Sequence, residues 1–238
     1  MRQLRGDRRA GGAEVGLVTG AADAAGAWTG RGTATPTRVL LLRHGQSPLS
    51  VDRRYSGRGN PSLTAVGQAQ AEAAAASVAA RYPVAGLVVS SPLDRARSTA
   101  APVAERLGVA VEVDEGFTET DFGGWEGLTF REAADRDPEL HRAWLGDTAV
   151  APPGGESFDV VGTRVSAALR GLVERHAGST VVLVSHVTPI KTILRIALDT
   201  GPSLLYRLHL DLACLSVVDF WDDGGASVRL VNDTSYLG

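Results

Sequence analysis

Residues 39–47 read VLLLRHGQS, four aliphatics in a row followed at once by an arginine, a histidine and a glycine turn. An unbroken apolar run this short marks a strand buried on both faces, as in a parallel sheet, and not a strand with one wet face. The same pattern recurs at 181–191, VVLVSHVTPIK, where a second apolar run ends at His186 and the Thr188-Pro189 pair opens a helix. GLVVSS (86–91) is a third such run. There Ser91-Pro92 joins a capping hydroxyl to a proline suited to the first helical position, and Asp94 lies where the helix dipole favours an acid.

Outward from these runs the chain alternates strand and helix. Asn60 and Pro61 make a turn before a long Ala-rich helix that begins near Thr64. A helix is expected from about Pro92 to Leu107, a strand at VAVEV (109–113), and a helix from Ser157 to about His176. Residues 114–156 read as irregular or short-helical, broken by Gly123, Gly124, Gly127, Pro138 and the PPGGES turn. ACLSVVDF and SVRLVND alternate enough to close the chain as a hairpin around Asp222 to Gly225. Strands alternating with helices imply an α/β layer structure with a mainly parallel sheet, in one domain over 38–238. Residues 1–37, rich in Gly, Ala, Thr and Arg without apolar period, read as a tail or linker.

Composition removes several classes of function. Hydrophobic residues are 44% of the 238 and aromatics 5%, enough for one aliphatic core and too many for wholesale disorder. A formal charge of −3 provides no global positive field for nucleic acid or an anionic membrane, so neither is expected as a partner. The one cysteine, Cys214, excludes an internal disulfide and a cysteine-based zinc site. With no apolar run of 18 residues and no secretory leader pattern in the opening segment, the expected location is the cytoplasm.

In parallel sheets ligands bind beyond the carboxyl ends of the strands, where loops run into helix N-termini. His44 and His186 both fall there, with Arg43 beside the first, while Arg95 and Arg97 occupy the first turns of the helix after GLVVSS. Guanidinium forks and free helix amides at one rim make an anion pocket of the kind phosphate occupies. A phosphate ester also needs a proton for its leaving alcohol, and FTETDFGGWEG (117–127) offers Glu119, Asp121 and Glu126, between which spacing does not choose. There is no Walker loop and no H-E-x-x-H. The walls of the pocket are expected from 48–60 and 117–150, with Arg53, Arg54, Tyr55, Arg58, Phe122, Trp125 and Trp144 offering cationic and aromatic contacts.

Six blocks in order, LLLRHGQS (40–47), SLTAVGQAQA (62–71), SSPLDRARSTA (90–100), ETDFGGWEGLT (119–129), PPGGES (152–157) and VVLVSHVTPIK (181–191), resemble the histidine phosphatase superfamily, also called phosphoglycerate mutase-like. Within it the chain is most similar to the acid phosphatase domain of bacterial bifunctional ribonuclease H/acid phosphatase proteins and to α-ribazole phosphatases. The resemblance runs from about Arg38 to Gly238 without the ribonuclease part, and the first 37 residues are expected to be a remnant linker or an alternative start. The resemblance implies a three-layer α/β/α fold, a covalent phosphohistidine at His44, phosphoryl binding by Arg43 and Arg95, a second pocket histidine at His186 and a proton donor at Glu119. Arg97 does not match the family pattern. Ser50 stands where the family often has asparagine, and its hydroxyl can still donate one hydrogen bond to substrate or phosphate.

The expected activity is metal-independent, cofactor-free hydrolysis of a small phosphorylated metabolite, with α-ribazole 5′-phosphate a candidate and the oligomeric state open. Two other readings compete. A phosphomutase would return the phosphoryl group to another hydroxyl, but the stretch from Glu119 to His186 lacks the longer insert of cofactor-dependent mutases. A binding or scaffold domain would have no use for a proton donor.

Overall fold

The computed structural model describes residues 35–238. The expectation of a tail falls, for residues 1–34, outside the described residues. A six-stranded sheet carries the fold: β1 Thr37–Arg43, β2 Leu87–Ser90, β3 Val111–Val113, β4 Thr180–Ser185, β5 Leu215–Phe220 and β6 Ala226–Asp233, in the order β3-β2-β4-β1-β5-β6. The first four strands in chain order are mutually parallel, and β5 and β6 add an antiparallel edge.

Alternation along the central strands sorts the core into two halves. Val39 and Leu41 face one side of the sheet with Val181 and Leu183, against helices α6 (Phe158–Arg175) and α7 (Val187–Ala197). Leu40 and Leu42 face the other side with Val182 and Val184, against α2 (Ala65–Arg81) and α3 (Asp94–Leu107). All of these strand residues are fully buried, so each contributes about 1.5–3 kcal/mol of transfer free energy. The result is the expected three-layer α/β/α arrangement. Ala74 and Ala75 of α2, with Ala96 and Ala100 of α3, keep these two helices slim where they cover the sheet.

Register aligns the functional rim. Arg43 pairs with Ser185 and Ser90 with Val184, so β1, β4 and β2 end together. The His44 amide still donates to the Ser185 carbonyl at 3.0 Å, and the Ser91 amide to the Val184 carbonyl at 3.0 Å. Beyond this rim lie four short helices, α1 (Pro48–Val51), α4 (Phe130–Arg136), α5 (Pro138–Trp144) and α8 (Leu204–Arg207), and a satellite aromatic cluster in which Trp144 of α5 meets Tyr55, Phe122 and Trp125 of the loops and Phe158 at the start of α6. Among the described residues no helix is long and apolar enough to cross a membrane.

Some boundaries differ from the sequence reading. The helix after β2 begins at Asp94 and not at Pro92, because Leu93 takes the N-cap and the Ser91 hydroxyl is drawn to His186. The helix after β4 begins at Val187, with His186 itself as N-cap. The third strand is trimmed to Val111–Val113, at the sheet edge where half of its ladder has no neighbour.

Candidate active site

Gly45 sets the position of everything in its neighbourhood. A Cβ there would stand 2.5 Å from the Gly67 carbonyl oxygen, and one on Gly67 would stand 2.1 Å from that of Gln46. Two facing glycines therefore let the turn after β1 lie directly on the first turn of α2. The Gly45 amide donates to Thr99 Oγ1 at 3.0 Å, and that hydroxyl donates to the Arg95 carbonyl at 2.7 Å, which ties the turn to α3.

The Gly45 carbonyl accepts from His44 Nδ1 at 2.7 Å. A carbonyl can only accept, so Nδ1 carries the proton and the lone pair of the ring belongs to Nε2. His44 lines a cavity of about 990 Å³ that opens at the strand ends. The His186 ring lies 5.0 Å away, centroid to centroid, and shares a 2.7 Å hydrogen bond with the Ser91 hydroxyl. Burial, then the guanidinium groups of Arg43 and Arg95, hold the His44 imidazole well below its usual range; burial, then Arg95 and His44, do the same for His186. Both shifts favour the neutral ring.

The two arginines are held by backbone carbonyls and not by carboxylates. Arg43 donates to the Leu210 carbonyl at 2.5 Å. Arg95, fully buried, donates to the carbonyls of Ser56, Gly57 and Gly59, bending the 56–59 loop around its guanidinium. Arg43 Nε, Arg95 Nε, His186 Nδ1 and Ser47 Oγ are buried without partners among the described residues. Such polar groups cost about 1–3 kcal/mol each when unpaired; Arg43 and Ser47 line the cavity, where an anion's oxygens would meet them, while Arg95 and His186 lie behind its lining. Arg97 is exposed on α3 and takes no part.

The three loop acids separate clearly. Glu126 accepts from the Gly57 and Gly59 amides, and Asp121 Oδ1 caps the Gly123 amide at 2.8 Å. Glu119 alone of the three lines the cavity, buried, with Oε1 on the Thr120 amide and Oε2 3.4 Å from the Thr188 amide in the first turn of α7. Its backbone is clamped by Arg164, which donates to the carbonyls of Gly116, Thr118 and Glu119 and forms a two-pronged pair with Glu156. Glu156 in turn accepts from the Asp121 amide and from Arg58.

Ser50 lines the cavity but differs from expectation. Its Oγ accepts from the Ser47 amide and donates its single proton to the Ser47 carbonyl, closing the start of α1. Donation to a ligand would require that bond to break, whereas the neighbouring Ser47 hydroxyl has no partner among the described residues.

Of the expected wall residues, Arg53, Arg54, Tyr55, Phe122 and Trp144 line the cavity. Arg58 is instead paired with Glu156, and Trp125 lies behind the wall with Nε1 on Asp137. Sequence reading missed the opposite wall, formed by Val187, Thr188 and Lys191 of α7, by Leu205 and Tyr206, and by residues 209–212. It also missed His141, which bonds the Tyr55 hydroxyl at 2.9 Å within the aromatic cluster, and His209, which pairs with Asp211 at the mouth. Neither histidine ends a strand, so the rule that found His44 and His186 could not find them. Among the described residues no cluster of histidine, cysteine or acids could hold a metal ion.

Comparison with known proteins gives this rim a family. A bifunctional protein of Mycobacterium tuberculosis is 60% identical over 210 residues, 88% of this chain but only 57% of that relative, so the chain spans little more than half of it. Phosphoserine phosphatase 1 of Hydrogenobacter thermophilus is 31% identical over 202 residues, covering 84% of this chain and 94% of that enzyme. The solved structure of a mycobacterial glucosyl-3-phosphoglycerate phosphatase in complex with VO3 superposes with a TM-score of 0.74 at 31% identity, over 83% of this chain and 100% of that one. The model of the histidine phosphatase superfamily, branch 1, matches residues 39–234, from the first residues of β1 to just past the end of β6. A sheet of this order, two histidines at its rim and this match leave one conclusion: the chain belongs to the histidine phosphatase superfamily.

Proposed function

We propose that this chain hydrolyses the phosphate monoester of a small metabolite through a phosphohistidine on His44. The observation that carries the reading is the His44 ring itself, its Nδ1 hydrogen fixed on the Gly45 carbonyl so that the Nε2 lone pair is available, with the His186 ring 5.0 Å away. That lone pair attacks phosphorus, and the ester P–O bond breaks as Glu119 gives the departing alkoxide its proton. Water then attacks phosphorus as the Glu119 carboxylate takes its proton, the P–N bond breaks, and phosphate leaves with the Nε2 lone pair of His44 restored. Arg43, Arg95 and the partnerless donors beside His44 neutralise the equatorial oxygens, so the mechanism assigns no step to a metal.

The body of the substrate is a separate matter. The named relatives act on phosphoserine and glucosyl-3-phosphoglycerate, while the aromatic wall of Tyr55, Phe122 and Trp144 would also suit the flat base of α-ribazole 5′-phosphate. The test is release of inorganic phosphate from nitrophenyl phosphate and a panel of phosphorylated metabolites, before and after exhaustive chelation. Turnover unchanged by chelation is expected. Transfer of the phosphoryl group to a second hydroxyl without phosphate release, or loss of rate restored by magnesium or zinc, would contradict it.

A further inference from the structure

Among the described residues the Glu119 carboxylate is held by two backbone amides, Thr120 at 2.8 Å and Thr188 at 3.4 Å. A carboxyl that gives up a proton and takes one back works best without a guanidinium partner, which would hold it ionised. Its place must then be set by its own backbone. Four successive carbonyls there, Gly116 to Glu119, accept from side chains of distant elements. Phe117 accepts from Ser185 Oγ at 2.7 Å, at the end of β4 and next to His186. The other three accept from Arg164 of α6, at 3.1 Å for Gly116, 2.7 Å for Thr118 and 3.0 Å for Glu119. Arg164 Nε and Nη2 also hold the two Glu156 oxygens, at 3.1 and 3.0 Å. A guanidinium has five N–H donors, and these bonds use them all. None remains for a phosphate oxygen, and Arg164 does not line the cavity.

From this geometry we propose that Arg164 is a positioning residue for proton transfer, setting where Glu119 stands over the bond that breaks. The proposal rests on the reading of Glu119 as proton donor and extends it to a side chain that touches neither substrate nor the reacting atoms. Arg164 fixes the donor's loop to α6, and Ser185 fixes it to the strand end that carries His186, so the donor keeps register with the phosphoryl pocket. Only a planar fork can do this. A lysine offers three donors from one nitrogen and cannot span three carbonyls and a carboxylate. Misplacing the donor slows the step in which a poor leaving group needs its proton, whereas a clamp that merely stabilised the fold would affect all substrates alike.

The test compares nitrophenyl phosphate with the best alkyl phosphate of the metabolite panel. Arg164→Lys should lower kcat for the alkyl ester by about ten- to hundredfold, with KM nearly unchanged, and lower that for nitrophenyl phosphate by less than about threefold. In a Glu119→Gln background the same substitution should cost the alkyl ester nothing further, because the donor it positions is gone. Arg164→Lys with wild-type rates, equal losses on both esters, or a full additional loss in the double variant would overturn the positioning role and leave Glu119 as donor. If Arg164→Lys does not fold by circular dichroism, Glu156→Gln decides. That change removes the charge that aligns the fork but leaves the three carbonyl bonds, so a smaller loss confined to the alkyl ester is expected. No loss, or one shared by both esters, would then overturn the proposal. A Glu119→Gln variant whose alkyl and nitrophenyl rates fall together would instead remove the donor role itself.

Discussion

At the scale of single residues, environment decides which of several similar groups does the chemistry. Glu119, Asp121 and Glu126 lie within eight positions of one another and all three accept from backbone amides, yet only Glu119 lines the cavity, next to the α7 N-terminus. If Glu119 supplies the proton, its removal matters in proportion to how poorly the alcohol leaves. Glu119→Gln should slow alkyl phosphates by about 10²–10⁴-fold and nitrophenyl phosphate, whose phenolate departs unaided, far less. Asp121→Asn and Glu126→Gln should show no such dependence on leaving group, and finding it at either would transfer the role. Ser91 shows the same lesson in reverse. Its place before a proline reads as a helix cap, but the nearby imidazole of His186 is the stronger claim on its hydroxyl, and only the tertiary structure brings the two together across 95 positions.

At the scale of elements, the turn after β1 is held from both sides. Gly45 and Gly67 meet backbone to backbone, so neither neighbour is a flexible side chain that could move aside. Gly45→Ala should displace the turn, lower kcat by about 10²-fold as a shift near 1 Å does, and destabilise the fold by about 1–3 kcal/mol. Steady-state kinetics and thermal unfolding read both effects, and a variant of normal rate and stability would show the turn is not pinned. Strand ends and long helices were legible because periodicity and caps are local: β4 coincides with the apolar run that ends at His186, and α2 and α6 start directly after Thr64 and Ser157, where helices were expected. Residues 114–156 are short-helical as read, but where α4 and α5 begin and end was not legible, because these helices are short and are held in part by distant partners, such as the Tyr55–His141 bond across 86 positions.

At the scale of the whole molecule, a parallel sheet gathers residues from distant parts of the chain to one rim, and this is why the centre of the site could be read before the walls. His44, Arg95 and His186 each follow a buried apolar run, so the rule for strand ends places them together without further information. The α7 and α8 wall with Lys191, and the Arg164–Glu156 clamp behind Glu119, depend on how layers pack over the rim and carry no comparable signature. What unites these parts is the claim that His44 is a nucleophile and not merely a satisfied strand-end histidine. Rapid-quench labelling with ³²P substrate, followed by peptide mapping, tests it directly. The account predicts an acid-labile, base-stable phosphoryl group on His44 that forms and decays at rates consistent with turnover and is absent from His44→Ala. A turning-over enzyme that never accumulates or transiently forms that adduct in single-turnover experiments, or that carries the label on another residue, would contradict it.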